Sequence, residues 1–226
     1  MSQRISLTRV IAINFPHNPT GAHITADVQR RLIEIAESAE AVLFSDEVYR
    51  GLEYSPGDRL PAATDVSERA VSLGVMSKSF ALAGLRIGWL ATRNRALLDR
   101  VARLKDYTTI CSSAPSEILA LIALRARERV LARSRSIVAD NLRLAREFIA
   151  ANQDEFEWTP PAAGSVGFPR FRNRNADEVS QQLAERESVL MLPGTVFGHD
   201  KAFFRLGLGR RGLQVALERL QHLIRI

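Results

Sequence analysis

Apolar runs and turn clusters alternate along the first half of the chain, and their periods predict strands and helices in alternation. Val10 to Phe15 reads VIAINF, a β-type run, and the cluster Pro16-His17-Asn18-Pro19-Thr20-Gly21 ends it. Val28, Leu32, Ile35 and Ala39 then recur at spacings of three and four, which puts them on one helix face behind a Thr25 N-cap. Ala41 to Ser45 (AVLFS) reads as a second strand closed by Asp46-Glu47. Ala70 to Val75 predicts a third strand, Ile87 to Ala91 a fourth, and Leu97, Val101 and Leu104 a helix over 96–107.

Past Pro115 the pattern changes. An arginine-rich helical stretch covers about 116–152 with a break near Arg127. Short strands follow at 156–159, 166–171, 189–192 and 203–208, with helices over 177–187 and 212–226. The fold class this predicts is α/β: part of a mostly parallel sheet with flanking helices over 1–127, then a smaller α+β domain over 128–226. In such sheets ligands collect at the C-terminal ends of strands. Asn18, Asp46 and Lys78 all follow predicted strands and so are expected to be spatial neighbours.

Composition narrows the class without naming a function. With 46% hydrophobic and 25% charged residues, the chain has the balance of an ordinary globular protein. It contains no apolar run long enough to cross a bilayer, and Met1 to Ser6 lack the basic-then-apolar pattern of a secretion signal. A cytoplasmic protein with no membrane partner is expected. The single cysteine, Cys111, excludes an intrachain disulfide, and His17, His23, His199 and His222 form no metal-ligand spacing with it, so no metal is expected. The net charge of +6 is spread over helices with interleaved acidic residues, which argues against nucleic acid as a partner.

Lys78 is one of only three lysines and lies in a small-residue loop after a predicted strand. An unprotonated lysine attacks carbonyls, so this placement suits a nucleophile, although a solvated loop lysine is the plainer account. Asp46 belongs at the rim of the sheet, where burial calls for a cationic partner; a turn or capping role is the alternative. Tyr49 points the same way if a helical turn follows the strand, and is otherwise a core aromatic. Asn18 before Pro19 suits an Asx turn. Arg205, alone among apolar neighbours in FFRLGL, offers a fork for a carboxylate or a structural ion pair.

In order along the chain stand Asn18-Pro19-Thr20-Gly21, Ser45-Asp46-Glu47-Val48-Tyr49, Ser77-Lys78-Ser79-Phe80 with Gly84-Leu85-Arg86-Ile87-Gly88-Trp89, and Phe204-Arg205-Leu206-Gly207. Together they resemble the class I/II (fold type I) pyridoxal-phosphate-dependent aminotransferases, and the resemblance runs from Val10 to Ile226. It implies pyridoxal 5'-phosphate as cofactor, transfer of an amino group between an amino acid and a 2-oxo acid, and a homodimer. Lys78 matches the lysine that binds the cofactor covalently and moves the proton at the substrate α-carbon. Asp46 matches the aspartate that keeps the pyridine nitrogen protonated. Asn18 and Tyr49 match groups that hydrogen-bond the phenolic oxygen. Arg86 matches the phosphate-binding arginine, with Ser77 as a minor contact, and Arg205 the arginine that grips the substrate carboxylate.

Two departures qualify the match. The family often carries a phosphate-donating serine three residues before the lysine, where this chain has Val75. Members also carry a long segment before the Asn-Pro-Thr-Gly motif, with a phosphate-binding loop at a helix N-terminus. The chain is therefore expected to correspond to the C-terminal part of such an enzyme, with an open sheet edge, an uncovered apolar face and weak cofactor binding at most. The runs Lys105 to Ser113 and Ala163 to Pro169 resemble the capreomycidine-synthase-like branch, where arginine is the substrate. Cyclisation, elimination or oxidation of an amino acid is accordingly an alternative reaction, and an effector-sensing domain of a transcription regulator an alternative role.

Overall fold

The computed structural model describes residues 7–225. They divide into two compact units, one comprising residues up to Pro16 and His23–Leu131, the other His17–Ala22 and Ala132 onward.

In the first unit the elements run β1 (Val10–Asn14), α1 (Ala26–Ser38), β2 (Val42–Asp46), α2 (Ala63–Val66), β3 (Ala70–Val75), β4 (Gly88–Ala91), α3 (Arg95–Thr108) and α4 (Ala114–Arg125). The sheet order is β1-β2-β3-β4, with β1, β2 and β3 parallel and β4 antiparallel to β3. Thr25 caps α1 as its sequence suggests, accepting from the Val28 N–H at 3.3 Å, and the Asn94 carboxamide does the same for α3 from Leu97 N at 3.0 Å. Ala36, Leu43, Ala63 and Ala70 form the core between α1 and the sheet, with Ile11, Ile13 and Ile33 packed on it. The short helix α2 has no sequence period to announce it.

Helix α4 is apolar on nearly every side, yet Ile118 and Ile122 are 60% and 56% exposed, and Trp89 and Leu90 on β4 also face solvent. A helix of that composition normally lies inside a protein. These side chains leave apolar surface exposed on this unit.

The predicted long helix is broken at Ala126 into α4 and α5 (Arg127–Ala150), and the division between the units falls inside α5. The second unit continues with β5 (Phe156–Glu157), β6 (Val166–Gly167), β7 (Arg170–Phe171), α6 (Ala176–Glu187), β8 (Leu192–Pro193), β9 (Phe204–Gly207) and α7 (Leu213–Ile224). The last residue of the predicted terminal helix, Ile226, lies outside the described residues. Where the sequence suggests one strand over 166–171 there are two. Pro169 has no N–H to give a ladder, and its carbonyl instead accepts from Phe204 N at 3.0 Å. Strands β6-β9-β8 form one antiparallel sheet and β5-β7 a second pair. Phe156, Phe171 and Phe204 pack against one another in tilted and edge-on pairs in the core, beside Leu183 on α6 and Leu220 and Leu223 on α7.

Asn141 on α5 is buried and donates both amide hydrogens, to Leu208 O at 2.8 Å and Arg210 O at 2.7 Å. Asn141→Ala removes both donors and leaves the carbonyls unsatisfied. It is expected to lower unfolding free energy by about 1–3 kcal/mol in urea titration.

Candidate functional site

Asp46 is the last residue of β2, and its main-chain carbonyl accepts from Phe15 N and from the Asn14 carboxamide, both at 3.2 Å. Its half-buried carboxylate accepts from Val48 N at 3.2 Å and meets no cationic side chain among the described residues. The turn that follows buries Tyr49, and the Lys78 Nζ lies 5.8 Å from the centre of that ring. Lys78 itself is exposed and makes no ion pair among the described residues. The desolvation that the sequence reading asks of a reactive lysine is thus not supplied by them.

The loop that carries Lys78 is tied down on both sides. Ser79 donates from its main-chain N–H and its hydroxyl to Val48 O, at 3.4 and 2.9 Å. Met76 N donates to Ile87 O at 3.0 Å, and Leu82 N to Met76 O at 2.9 Å. Ser77 is half-buried beside Lys78. Arg86 is exposed at the end of a 3-10 turn (Ala83–Leu85), at a φ of 54°, with Nη1 donating to Ala83 O at 3.1 Å. Val75 pairs with Gly88 in the sheet, and a Cβ on Gly88 would sit 2.9 Å from the Val75 methyl.

In the second unit the Asn18-Pro19-Thr20-Gly21 motif is a tight loop closed by His17 N donating to Ala22 O at 2.8 Å. Gly21 has a φ of +68°, and a Cβ there would fall 2.2 Å from Pro161 Cβ and 2.7 Å from Val166 O. No other residue fits that position. The Gly21 carbonyl accepts from Ala162 N and Ala163 N at 2.9 and 3.1 Å, so the loop is bound to the segment before β6. Asn18 and Arg205, which the sequence offers as separate candidates, meet here: Arg205 Nη1 donates to Asn18 Oδ1 at 3.1 Å across 187 positions of sequence. The guanidinium also lies 5.3 Å from the centre of the Phe197 ring, and it makes no ion pair among the described residues.

A profile of the family described as aminotransferase class I and II matches residues 2–220. The chain belongs to that family. It is 30% identical over 192 residues to capreomycidine synthase of Streptomyces vinaceus, covering 84% of this chain and 49% of that protein. Among solved structures, a PLP-dependent aminotransferase of Streptococcus suis superposes with a TM-score of 0.90 at 31% identity, over 97% of this chain and 58% of that one. The PLP-dependent cyclase OrfR does so with a TM-score of 0.86 at 31% identity, over 96% and 59%. The chain thus spans about half the length of curated relatives it matches.

Two residues of this aminotransferase-family chain escape a reading of its motifs. Phe197, beneath Arg205, sits in a 3-10 turn (Gly194–Phe197) that no periodicity marks. Glu47 stands next to Asp46 but turns to the other side of the strand. Its nearly buried carboxylate accepts through Oε1 from Ala63 N at 2.8 Å and from the Ser72 hydroxyl at 2.9 Å, with Arg50 Nε 3.9 Å from Oε2. It thereby holds the start of α2 and the middle of β3 to the end of β2. Glu47→Ala is expected to cost about 1–3 kcal/mol in chemical denaturation, while Glu47→Gln, which keeps the accepting oxygen, costs clearly less.

Proposed function

We propose that this chain carries the cofactor lysine of a pyridoxal 5'-phosphate enzyme that transfers an amino group between an amino acid and a 2-oxo acid, acting as a cytoplasmic homodimer. The observation that carries this reading is the Asp46 carboxylate: half-buried at the end of a parallel strand, without a cation of its own, on the turn to which the Lys78 loop is bonded. An unpaired carboxylate of this kind suits a protonated ring nitrogen. An amine free of ion pairs suits the cofactor's aldehyde, and the exposed guanidinium of Arg86 suits its phosphate. The donor set therefore fits the cofactor.

When bound, the cofactor supplies an electron-withdrawing ring that stabilises negative charge at the substrate α-carbon. The residues of this chain do the rest. Asp46 would hold a proton at the ring nitrogen, and the Lys78 amine would bind the cofactor's aldehyde and, once the substrate displaces it, carry the proton between the substrate α-carbon and the cofactor. Asn18 and Tyr49 would hydrogen-bond the cofactor's phenolic oxygen, and Ser77 and Arg86 would bind its phosphate. Val75 offers that phosphate no donor, so Arg86 carries more of its binding than in members with serine at that position. Arg205 binds the substrate α-carboxylate in a two-pronged pair, its fork oriented by Asn18 on one side and by Phe197 beneath.

A second reading, cyclisation or elimination on an amino acid such as arginine, is favoured by the similarity to capreomycidine synthase and to the PLP-dependent cyclase. Turnover of an amino-acid panel with and without a 2-oxo acid separates the two. Amino-group transfer needs the 2-oxo acid, whereas cyclisation and elimination proceed without it.

Lys78→Ala is expected to abolish both amino-group transfer and the borohydride-fixed mass increment on the peptide around position 78. A wild-type chain that carried the borohydride-fixed increment on Lys105 or Lys201 and not on Lys78 would sink the assignment of Lys78. Arg205→Lys keeps the charge but loses the planar fork. It is expected to lower kcat/KM for the amino acid about ten- to a hundredfold, mainly through KM, in steady-state assays.

A further inference from the structure

We propose that Ser79 is a positioning residue that fixes the Lys78 amine relative to the Asp46 carboxylate. The inference rests on the reading of Lys78 as the cofactor lysine and adds to it a residue that no motif role accounts for. Ser79 is 2% exposed and directly follows Lys78. Its hydroxyl donates to Val48 O at 2.9 Å, and its own N–H reaches the same oxygen at 3.4 Å. On the other side of the same residue, Val48 N donates to the Asp46 carboxylate at 3.2 Å. Val48 is thus held at both main-chain groups, its amide by the carboxylate and its carbonyl by the lysine loop.

The shorter of the two bonds from Ser79 is the one a side-chain change removes. Without it, the Val48 carbonyl, on a half-buried residue, keeps only the long N–H contact, and the loop loses its shortest bond to the turn that follows Asp46. The remaining bonds of the loop run to Ile87 or within the loop, from Ala81 N to Lys78 O at 2.9 Å and from Leu82 N to Met76 O at 2.9 Å. They attach the loop to the neighbourhood of β4, the β2–β3 ladder holds its start, and the Ser79 bonds tie its middle to the turn after Asp46. A serine that merely filled core space would act through its bulk. A serine that positions Lys78 acts through its hydroxyl.

Reductive labelling separates these roles, because the chain has only three lysines. Each amine condenses with the aldehyde of added pyridoxal phosphate with loss of water, and borohydride then supplies the hydride that fixes the product. Peptide mass spectrometry reads Lys78 against Lys105 and Lys201 as internal references. In the wild type Lys78 is expected to label preferentially. Ser79→Ala is expected to lower that preference about tenfold, the scale of one lost hydrogen bond, with the references unchanged. Ser79→Thr, which keeps a hydroxyl, is expected to restore it. Preferential labelling in the wild type that is equal in Ser79→Ala overturns the positioning role alone. A wild type that labels Lys78 no faster than Lys105 and Lys201 overturns the reading of Lys78 itself, and the inference with it.

Discussion

The parallel pairing of β2 with both of its neighbours is the constraint on which the chemistry of the first unit depends. In this register Asn14, Asp46 and Leu73 lie side by side, so the strands β1 and β2 and the approach to the Lys78 loop all finish at one edge of the sheet. The pairing continues past the strand ends, through Phe15 N to Asp46 O and Glu47 N to Leu73 O, at 3.2 and 3.0 Å. Parallel strands cannot be joined by a tight hairpin, and the crossover between β1 and β2 is α1 with its Thr25 cap. The same geometry that demands a helix between the strands brings their C-terminal ends to one side of the sheet.

Adjacent acidic residues at that edge divide two jobs. Successive side chains on a strand point to opposite faces. Asp46 turns its carboxylate back on the following turn, while Glu47 reaches α2 and Ser72. One is left without a cation and the other is saturated with structural donors. The pair reads alike in sequence, and the two are told apart only by what each face of the strand meets.

In the second unit the comparable constraint is Gly21. Its positive φ and the contact with Pro161 allow the loop to lie against the segment before β6. The loop therefore belongs with the second unit although the strand that leads into it belongs with the first. With the loop fixed, Asn18 and the β9 residue Arg205 share a hydrogen bond. Contact between these residues was not readable from spacing, because 187 positions separate them.

What the sequence determined by itself was local or motif-borne. Periodicity marked α1, β3 and α3 closely, since an amphipathic face writes its period directly into the chain. The motifs around Asn18, Asp46, Lys78 and Arg205 pointed to the aminotransferase family. The single strand suggested over 166–171 failed at Pro169, whose missing N–H interrupts a ladder. Tertiary structure alone decided that Arg205 pairs with Asn18 over Phe197, that Glu47 braces α2, and that Ser79 bonds the Lys78 loop to Val48. These are contacts between side chains and distant main-chain groups. Their donors and acceptors are present in every residue or in many, so only the folded chain selects which of them meet.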